Sequence, residues 1–297
     1  MAARDAAAVE LTKVAGEVLV VGGVFREVLD ADTAPRLRYG GSGLTSAIAA
    51  ARIGANVALA AAVGAEDFDA VAARLEESGV TTSSLVVTEG ASGTFLFPSL
   101  ADAAHPWPLY RPAEAAPQAA PTVPTADVIL CFGVPDLDPL ADGWLEGARP
   151  STLLWDRQGW LSRARDASGA LAVAAGRHVY VANLAEAADD IGYNGGRVTG
   201  PPAGFAAALI KDGPKGVRVV EDNAWTHVPA ATVSTAHTVG SGDVFAGAAA
   251  AALAGGANLS DAARIGCAAA AISLRRGDNL LRAADGDVAA KLARTLR

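Results

Sequence analysis

The chain of 297 residues has only 2 cysteines, 4 histidines and 5% aromatic residues. Cys131 and Cys267 lie far apart in apolar surroundings. This placement predicts two buried thiols and a reducing, cytoplasmic location. The histidines have no metal-ligand spacing with cysteine or with one another, so we expect no zinc site.

Positive charge is also scarce, since 24 Lys and Arg face 32 Asp and Glu, for a net charge of −8. An acidic chain argues against a nucleic-acid partner, which requires clustered basic residues. A run of about 20 strongly apolar residues is lacking, so we predict no membrane span. Residues 1–15 lack a compact apolar core, and we expect a loosely ordered extension there rather than a signal peptide.

Hydrophobic residues make up 51% of the chain, and this high fraction excludes an intrinsically disordered protein. Short β-branched runs alternate with alanine-rich runs of helical character. Uniformly apolar strands are typical of a parallel sheet covered on both faces. We therefore predict one α/β domain over residues 1–297, a doubly wound, mainly parallel sheet with helices on both faces. The predicted strands are 17–24, 55–63, 127–132, 152–155 and 178–182, and the predicted helices are 43–53, 68–78, 243–253 and 262–273.

Two segments, 26–39 and 94–111, break this alternation. Pro98, Pro106 and Pro108 exclude a core helix from the second segment. We expect both segments to form a small β lid over the strand ends, and long surface loops are the alternative. The apolar side chains Phe95, Phe97 and Trp107 would then cap a substrate or form a contact between two copies.

The strongest local signal is VGSGDVFAG at residues 239–247, which enters a predicted helix. Glycines allow a sharp turn, and backbone N–H groups at a helix N-terminus form an anion site. Asp243 would lie beside that site as a carboxylate able to accept a proton from a hydroxyl. Such an arrangement is typical of phosphoryl transfer. An ordinary N-terminal Asp after a glycine-rich turn is the alternative.

VGSGDVFAG resembles the C-terminal signature of the ribokinase-like (PfkB) carbohydrate kinase family, DTTGAGDxFxxG. GGSGLTSA at 40–47, followed by AAARIGA at 49–55, resembles the family's GGxxxNxAxxxxRLGA. VGAEDF at 63–68 matches the family's VGxDxxG in part, because Asp69 replaces the second glycine. The resemblance implies a ribokinase-like fold and ATP-dependent transfer of phosphate to a hydroxyl of a small sugar-like, polyol or nucleoside-like compound. It makes Asp243 the base, and the amides of Gly240, Ser241 and Gly242 the anion hole.

The same resemblance suggests where ATP and Mg²⁺ would bind. NLAE at 183–186 resembles the family's NxxE, which implies that Glu186 places Mg²⁺ through water and Asn183 faces the phosphates. Read alone, this spacing also describes a helix capping box.

KDGPKG at 211–216 resembles a turn, TxGxxG, that passes near the nucleotide. Gly213 and Gly216 match, and Lys211, in place of Thr, could meet a phosphate; a solvated lysine in a β-turn is the alternative. Asn279 is a further candidate at the adenine pocket.

On the acceptor side, the resemblance implies substrate contacts from Glu27, Gly40, Gly41 and Thr45. Asp156 and Arg157 follow a neighbouring predicted strand, where either could contact the substrate or a nucleotide phosphate, and a pair between the two is the alternative. Several positions depart from the family. Glu27 replaces Asp, Thr45 replaces Asn, and Phe25 is often Asn. These changes make a ribose or fructose acceptor doubtful. His237 replaces an Asp that helps to hold K⁺ in some members, so we expect no K⁺ requirement.

Two other functions stay open at this point. The altered positions suggest a nucleotide- or metabolite-binding protein on a kinase scaffold with little catalysis. A dinucleotide-dependent oxidoreductase is a weaker option, because no GxGxxG turn follows the first strand. The expected partners are ATP and a small hydroxyl compound, with neither nucleic acid nor membrane. In the family the lid often joins a dimer interface, so we also consider a homodimer through the lid.

Overall fold

The computed structural model describes residues 16–31, 34–97, 109–117, 123–133, 144–145, 148–158, 176–191, 200–222, 224–235, 238–277 and 280–296. The extension predicted over residues 1–15 lies outside these ranges, as do His237, Asn279, Trp107 and the three prolines of the second lid segment. No helix in the described ranges is long and apolar enough to cross a bilayer.

The described residues form two sheets and a set of helices. The strands are β1 (Glu17–Val21), β2 (Phe25–Leu29), β3 (Arg36–Gly40), β4 (Asn56–Gly64), β5 (Val80–Thr81), β6 (Leu85–Thr88), β7 (Thr94–Leu96), β8 (Leu109–Arg111), β9 (Val128–Phe132), β10 (Thr152–Asp156), β11 (Arg177–Asn183), β12 (Ala207–Lys211), β13 (Val217–Glu221) and β14 (Ala224–Val228). The helices are α1 (Ser42–Ile53), α2 (Phe68–Glu77), α3 (Leu184–Ile191), α4 (Ser241–Ala254), α5 (Leu259–Arg276) and α6 (Asp285–Ala293).

The larger sheet has the order β14-β13-β12-β11-β10-β9-β1-β4-β5, with β6 also paired to β4. Its strands from β12 through β5 run parallel, whereas β13 and β14 add an antiparallel edge. The predicted doubly wound, mainly parallel sheet is confirmed. The carboxyl ends of β10, β11 and β12 therefore lie side by side, where ligands of such sheets bind.

Both faces of this sheet are buried, as its apolar strands require. Along β1, Val18 and Val20 pack in a core with α1, α4, α5 and α6, while Leu19 and Val21 pack in a second core that includes α3. The two cysteines are buried free thiols, as predicted, one beneath each face of the sheet.

The smaller sheet has the order β3-β2-β7-β8 and is built from the two segments predicted to form the lid. Phe95 and Phe97 point inward and pack with Phe25 and Tyr110 in an aromatic cluster. With exposures of 7% and 9%, these two side chains are not available as a contact between copies. Val239, next to the glycine-rich turn before α4, packs against the same cluster.

A buried carboxylate joins the small sheet to the large one. Asp67, which precedes α2 and is fully buried, accepts hydrogen bonds from Arg26 Nε at 2.8 Å, Tyr39 Oη at 3.1 Å and Ser92 N at 2.8 Å. Burial opposes its charge, but the Ser92 N–H and the Arg26 guanidinium hold the pKa of Asp67 below its ordinary value. We call this group the Asp67 joint. The match of VGAEDF to a family motif does not predict that Asp67 binds residues of the small sheet.

Candidate active site

The glycine-rich turn lies at the N-terminus of α4, which begins two residues before the predicted start. Gly240 caps the helix with φ 83°, a left-handed conformation that favours glycine. Ser241, Gly242 and Asp243 form the first helical turn. Ser46 of α1 donates its hydroxyl to the carbonyl of Asp243 at 2.8 Å, and so fixes this turn against the neighbouring helix.

Two backbone amides of the turn already have acceptors within it. Ser241 N donates to Thr238 O at 3.1 Å, and Asp243 N donates to Gly240 O at 3.1 Å. Among the described residues, Gly242 N has no acceptor. Sequence reasoning treated the N–H groups of Ser241, Gly242 and Asp243 alike. Of these three amides, Gly242 N alone is uncommitted within the described part of the chain, and a phosphate would compete with the carbonyls for the other two.

Asp243 is half-buried and carries a perturbed carboxyl group. Gln158, which follows β10, donates Nε2 to Asp243 Oδ1 at 3.1 Å. Burial first, and then the negative charge of Asp156, raise the pKa of Asp243 to about 7, although Lys211 and Gln158 act in the opposite direction. A carboxylate with a pKa near neutrality is suited to act as a general base.

Lys211, at the end of β12, lies inside the site rather than in solvent. Its Nζ donates to Asp156 Oδ2 at 2.7 Å, and its side chain is 15% exposed. A methyl group placed on Gly242 would lie 3.5 Å from Lys211 Nζ, so the ammonium borders the anion turn. Burial opposes its charge, but Asp156 and Glu186 together raise the pKa of Lys211 above its ordinary value, which keeps it cationic. The alternative of a solvated lysine is wrong.

Asp156 is fully buried at the end of β10. Its Oδ1 has no hydrogen-bond partner among the described residues. Burial raises the pKa of Asp156 to about 6, against the opposing charge of Lys211. A buried carboxylate oxygen without a donor is unfavourable, so this atom is suited to receive one from a ligand.

Asn183 and Glu186 form the capping box that their spacing allowed. Glu186 N donates to Asn183 Oδ1 at 3.0 Å, and Asn183 N donates to Glu186 Oε2 at 2.7 Å. The pair thereby starts α3 at the end of β11. Nearby, Gly213 and Gly216 shape the β12–β13 turn with φ of 53° and 103°.

The acceptor-side residues meet where β2, β3 and α1 converge. Glu27 is buried, and it accepts from Gly41 N at 3.0 Å and from Arg38 Nε at 2.6 Å. A side chain at Gly40 would collide with this carboxylate. Thr45 is buried in the second turn of α1. The negative charge of Glu27 also contributes to the raised pKa of Asp243, after burial and the charge of Asp156.

Sequence reasoning missed two polar contacts of the site and left a third open. Arg38 alternates with apolar residues on β3, and no motif signals its contact with Glu27. Gln158 gave no signal either, because its partner lies 85 positions away. For Arg157, the sequence leaves open a phosphate contact or a pair with Asp156. In the structure its guanidinium forms a bidentate ion pair with Asp190 of α3, at 2.7 and 2.6 Å.

Comparison with solved structures shows the same fold. A ribokinase from Thermotoga maritima matches with TM-score 0.73 and 21% identity over 93% of this chain and 99% of that one. A ribokinase from Cryptococcus neoformans var. grubii serotype A, in complex with ADP, matches with TM-score 0.72 and 21% identity over 92% and 99%. A nucleoside kinase from Burkholderia thailandensis, in complex with inosine, matches with TM-score 0.72 and 15% identity over 94% and 98%.

Comparison with curated proteins gives no match. The family model described as pfkB family carbohydrate kinase matches residues 15–106 and 199–279, which is more than half of the chain. These residues include both signatures and the turn that carries Asp243. The sequence match, together with a ribokinase-like fold, shows that this chain belongs to the pfkB family of carbohydrate kinases and is an ATP-dependent kinase.

Proposed function

We propose that this kinase transfers the γ-phosphate of ATP to a hydroxyl of a small sugar-like, polyol or nucleoside-like acceptor, with Asp243 as the general base. One observation carries the proposal: a carboxylate with a pKa raised to about 7 lies at a helix N-terminus, beside a buried lysine and a glycine turn. A base, a fixed cation and backbone donors are the groups that phosphoryl transfer uses.

Lys211 and the turn at 240–242 would hold the transferring phosphate. Lys211 Nζ can turn from Asp156 toward a phosphate oxygen without leaving the site, because it already borders Gly242. Gly242 N would donate first, since it has no competing acceptor in the described chain. Gly240 and Ser241 would shape this anion hole. Asn183, Gly213, Gly216 and Asn279 complete the ATP side of the proposal.

Mg²⁺ fits the site as an ion bound mainly by phosphate and water. Among the described residues, no group of three or more His, Cys, Asp or Glu side chains could hold a metal directly. Mg²⁺ commonly keeps several waters and takes one or two carboxylates. Glu186 supplies such a carboxylate, whose Oε2 accepts from Asn183 N and whose negative charge acts on Lys211. When bound, Mg²⁺ would neutralise phosphate charge.

The acceptor would lie between Asp243 and the small sheet, against Glu27, Gly40, Gly41, Thr45 and Asp156. Asp156 Oδ1 would accept a hydrogen bond from one of its hydroxyls. As the reacting oxygen bonds to the γ-phosphorus, Asp243 takes its proton, and the bond from phosphorus to the bridging oxygen of ADP breaks. The resemblance to a nucleoside kinase in complex with inosine supports including nucleosides among the acceptors.

The test is a phosphorylation screen with ATP, Mg²⁺ and a library of sugars, polyols and nucleosides, followed by Asp243→Asn with the best acceptor. We expect kcat to fall at least 100-fold, the low end for a positioned base. Ser46→Ala is the matched control, because it touches the backbone of Asp243 and not its carboxylate. Binding of ATP without transfer to any acceptor would favour the metabolite-binding alternative.

We also propose that the enzyme acts in the cytoplasm, and that two copies pair through the small sheet. The buried thiols support the first statement. Leu37 on β3 and Leu109 on β8, 59% and 63% exposed, support the second, because they leave apolar surface on that sheet. Sedimentation of the wild-type chain and of Leu37→Asp would test the pairing.

A further inference from the structure

Gln158 reaches Asp243 from a separate part of the fold. Gln158 follows β10, while Asp243 lies in the first turn of α4, 85 positions later. The Gln158 Nε2 and Asp243 Oδ1 atoms are 3.1 Å apart. A carboxylate accepts hydrogen bonds, so the amide nitrogen, not the amide oxygen, must face it. Among the described residues, Asp243 Oδ2 receives no hydrogen bond.

The backbone at Gln158 is held in an unfavourable conformation. Its φ is 45°, in the left-handed region, and in the described chain only Asp30 and Asp222 are other non-glycine residues with positive φ. Glycine or asparagine would adopt this conformation more easily. Strain of this kind persists where surrounding structure fixes it, and it concentrates at functional sites.

The surrounding structure does fix it. Arg157 N donates to Val181 O at 2.9 Å, which extends the pairing of β10 with β11 up to Gln158. The Arg157 guanidinium donates hydrogen bonds to both carboxylate oxygens of Asp190 on α3. Tyr180 Oη donates to the same carboxylate at 2.7 Å. Gln158 is therefore presented to Asp243 from a rigid support.

We propose that Gln158 is a positioning residue for Asp243: it occupies Oδ1, orients the carboxylate and leaves Oδ2 to accept the proton of the acceptor hydroxyl. This inference rests on the proposed role of Asp243 as base. The amide N–H also favours the ionised carboxylate. Asp156 on β10 and Glu27 on β2 disfavour that form, and Lys211 on β12 favours it.

The test is to titrate the Asp243 carboxyl and to monitor it by carbon-13 NMR of the full chain labelled at aspartate. The Asp243 signal is assigned as the one that disappears in Asp243→Asn. In Gln158→Leu, which has similar size and no donor, we expect the acid dissociation constant of Asp243 to fall about tenfold. The pH profile of kcat/KM would move upward by the same amount, with kcat lowered and KM for ATP nearly unchanged.

Gln158→Asn is the second variant, because asparagine tolerates positive φ but is too short to reach Asp243. It should show the same shift even where Gln158→Leu folds poorly. Asp222→Leu is the matched control, since it places leucine at φ 51° in a remote exposed turn and should leave the titration unchanged.

Wild-type titration of Asp243 in both Gln158 variants would overturn the inference. That readout needs no turnover, so it is independent of the screen. If the wild-type chain phosphorylates no acceptor, but the pKa of Asp243 shifts in both Gln158 variants, the proposed function is refuted. The contact between Gln158 and Asp243 would then still be supported.

Discussion

Acidification should switch off phosphoryl transfer through Asp243. With a pKa of about 7, the carboxylate is ionised in about a tenth of molecules at pH 6, half at pH 7 and nine tenths at pH 8. If the ionised form alone acts as base, kcat/KM rises about fivefold from pH 6 to 7 and about twofold from pH 7 to 8. An ordinary Asp, with a pKa of 3.8, would give no change over this range.

Neighbouring Asp156 modifies the acid side of this profile. Its pKa is about 6, so its protonation near pH 6 removes one source of repulsion and softens the fall. Asp156→Asn should therefore lower the pKa of Asp243 and move the profile toward acid. This direction follows from the negative charge of Asp156, which stands second after burial among the causes of the raised pKa.

The assay should detect phosphorylated acceptor directly, because coupling enzymes have pH profiles of their own. The acceptor is kept below KM, and ATP and Mg²⁺ are kept saturating at every pH. The residual activity of Asp243→Asn provides the baseline and should not vary between pH 6 and 8. A flat wild-type profile over the same range would refute the reasoning that assigns the raised pKa to the catalytic base.

Further predictions concern stability and binding. Asp243→Asn should raise the free energy of unfolding by about 4 kcal/mol at pH 8 and by less than about 2 kcal/mol at pH 5, as urea unfolding would show. The reason is that a carboxyl with a raised folded pKa ionises first in the unfolded chain, so the wild type loses stability as pH rises from 3.8 to about 7; equal effects at both pH values would contradict this. Lys211→Met should raise KM for ATP and destabilise the fold by about 3 kcal/mol, because it leaves Asp156 buried and unpaired. The double variant Lys211→Met with Asp156→Asn should regain most of that stability, as measured by calorimetry. Glu27→Gln should raise KM for the acceptor while KM for ATP stays unchanged, as steady-state kinetics would show. Asp67→Ala should lower the free energy of urea unfolding by about 3 kcal/mol, because it removes the shared acceptor of Arg26, Tyr39 and the buried Ser92 N–H. Asp69→Ala, on the first turn of α2, should lower it by under 1 kcal/mol.

The sheet was predictable because each strand can be recognised from its own local sequence. Runs such as DVILCF, apolar at nearly every position, are explained by burial on both faces, and β9 is indeed buried throughout. The glycine turn and Asp243 were equally visible, since a turn, a helix start and a carboxylate lie within a few residues. Neighbours in sequence stay neighbours in space, so local pattern suffices there.

The polar partners of the site were not predictable in the same way. Lys211 and Asp156 are 55 positions apart, and Gln158 and Asp243 are 85 apart. Such pairs depend on how β10, β12 and α4 are placed, which periodicity does not specify. The engagement of Ser241 N by Thr238 O also escapes a sequence pattern, because it depends on backbone angles within the turn. The roles of these residues toward ATP and acceptor remain predictions.

The alternation of β2 has a consequence for protein engineering. Arg26 and Glu27 are adjacent, and adjacent side chains of a strand point to opposite faces. Arg26 therefore binds Asp67 in the Asp67 joint, while Glu27 accepts a hydrogen bond from Gly41 N on the opposite face. A library that varies Glu27 and Arg38 can change the proposed acceptor side of the site without removing the contacts of Asp67. Inserting or deleting a single residue in β2 would exchange the two faces and disable both at once.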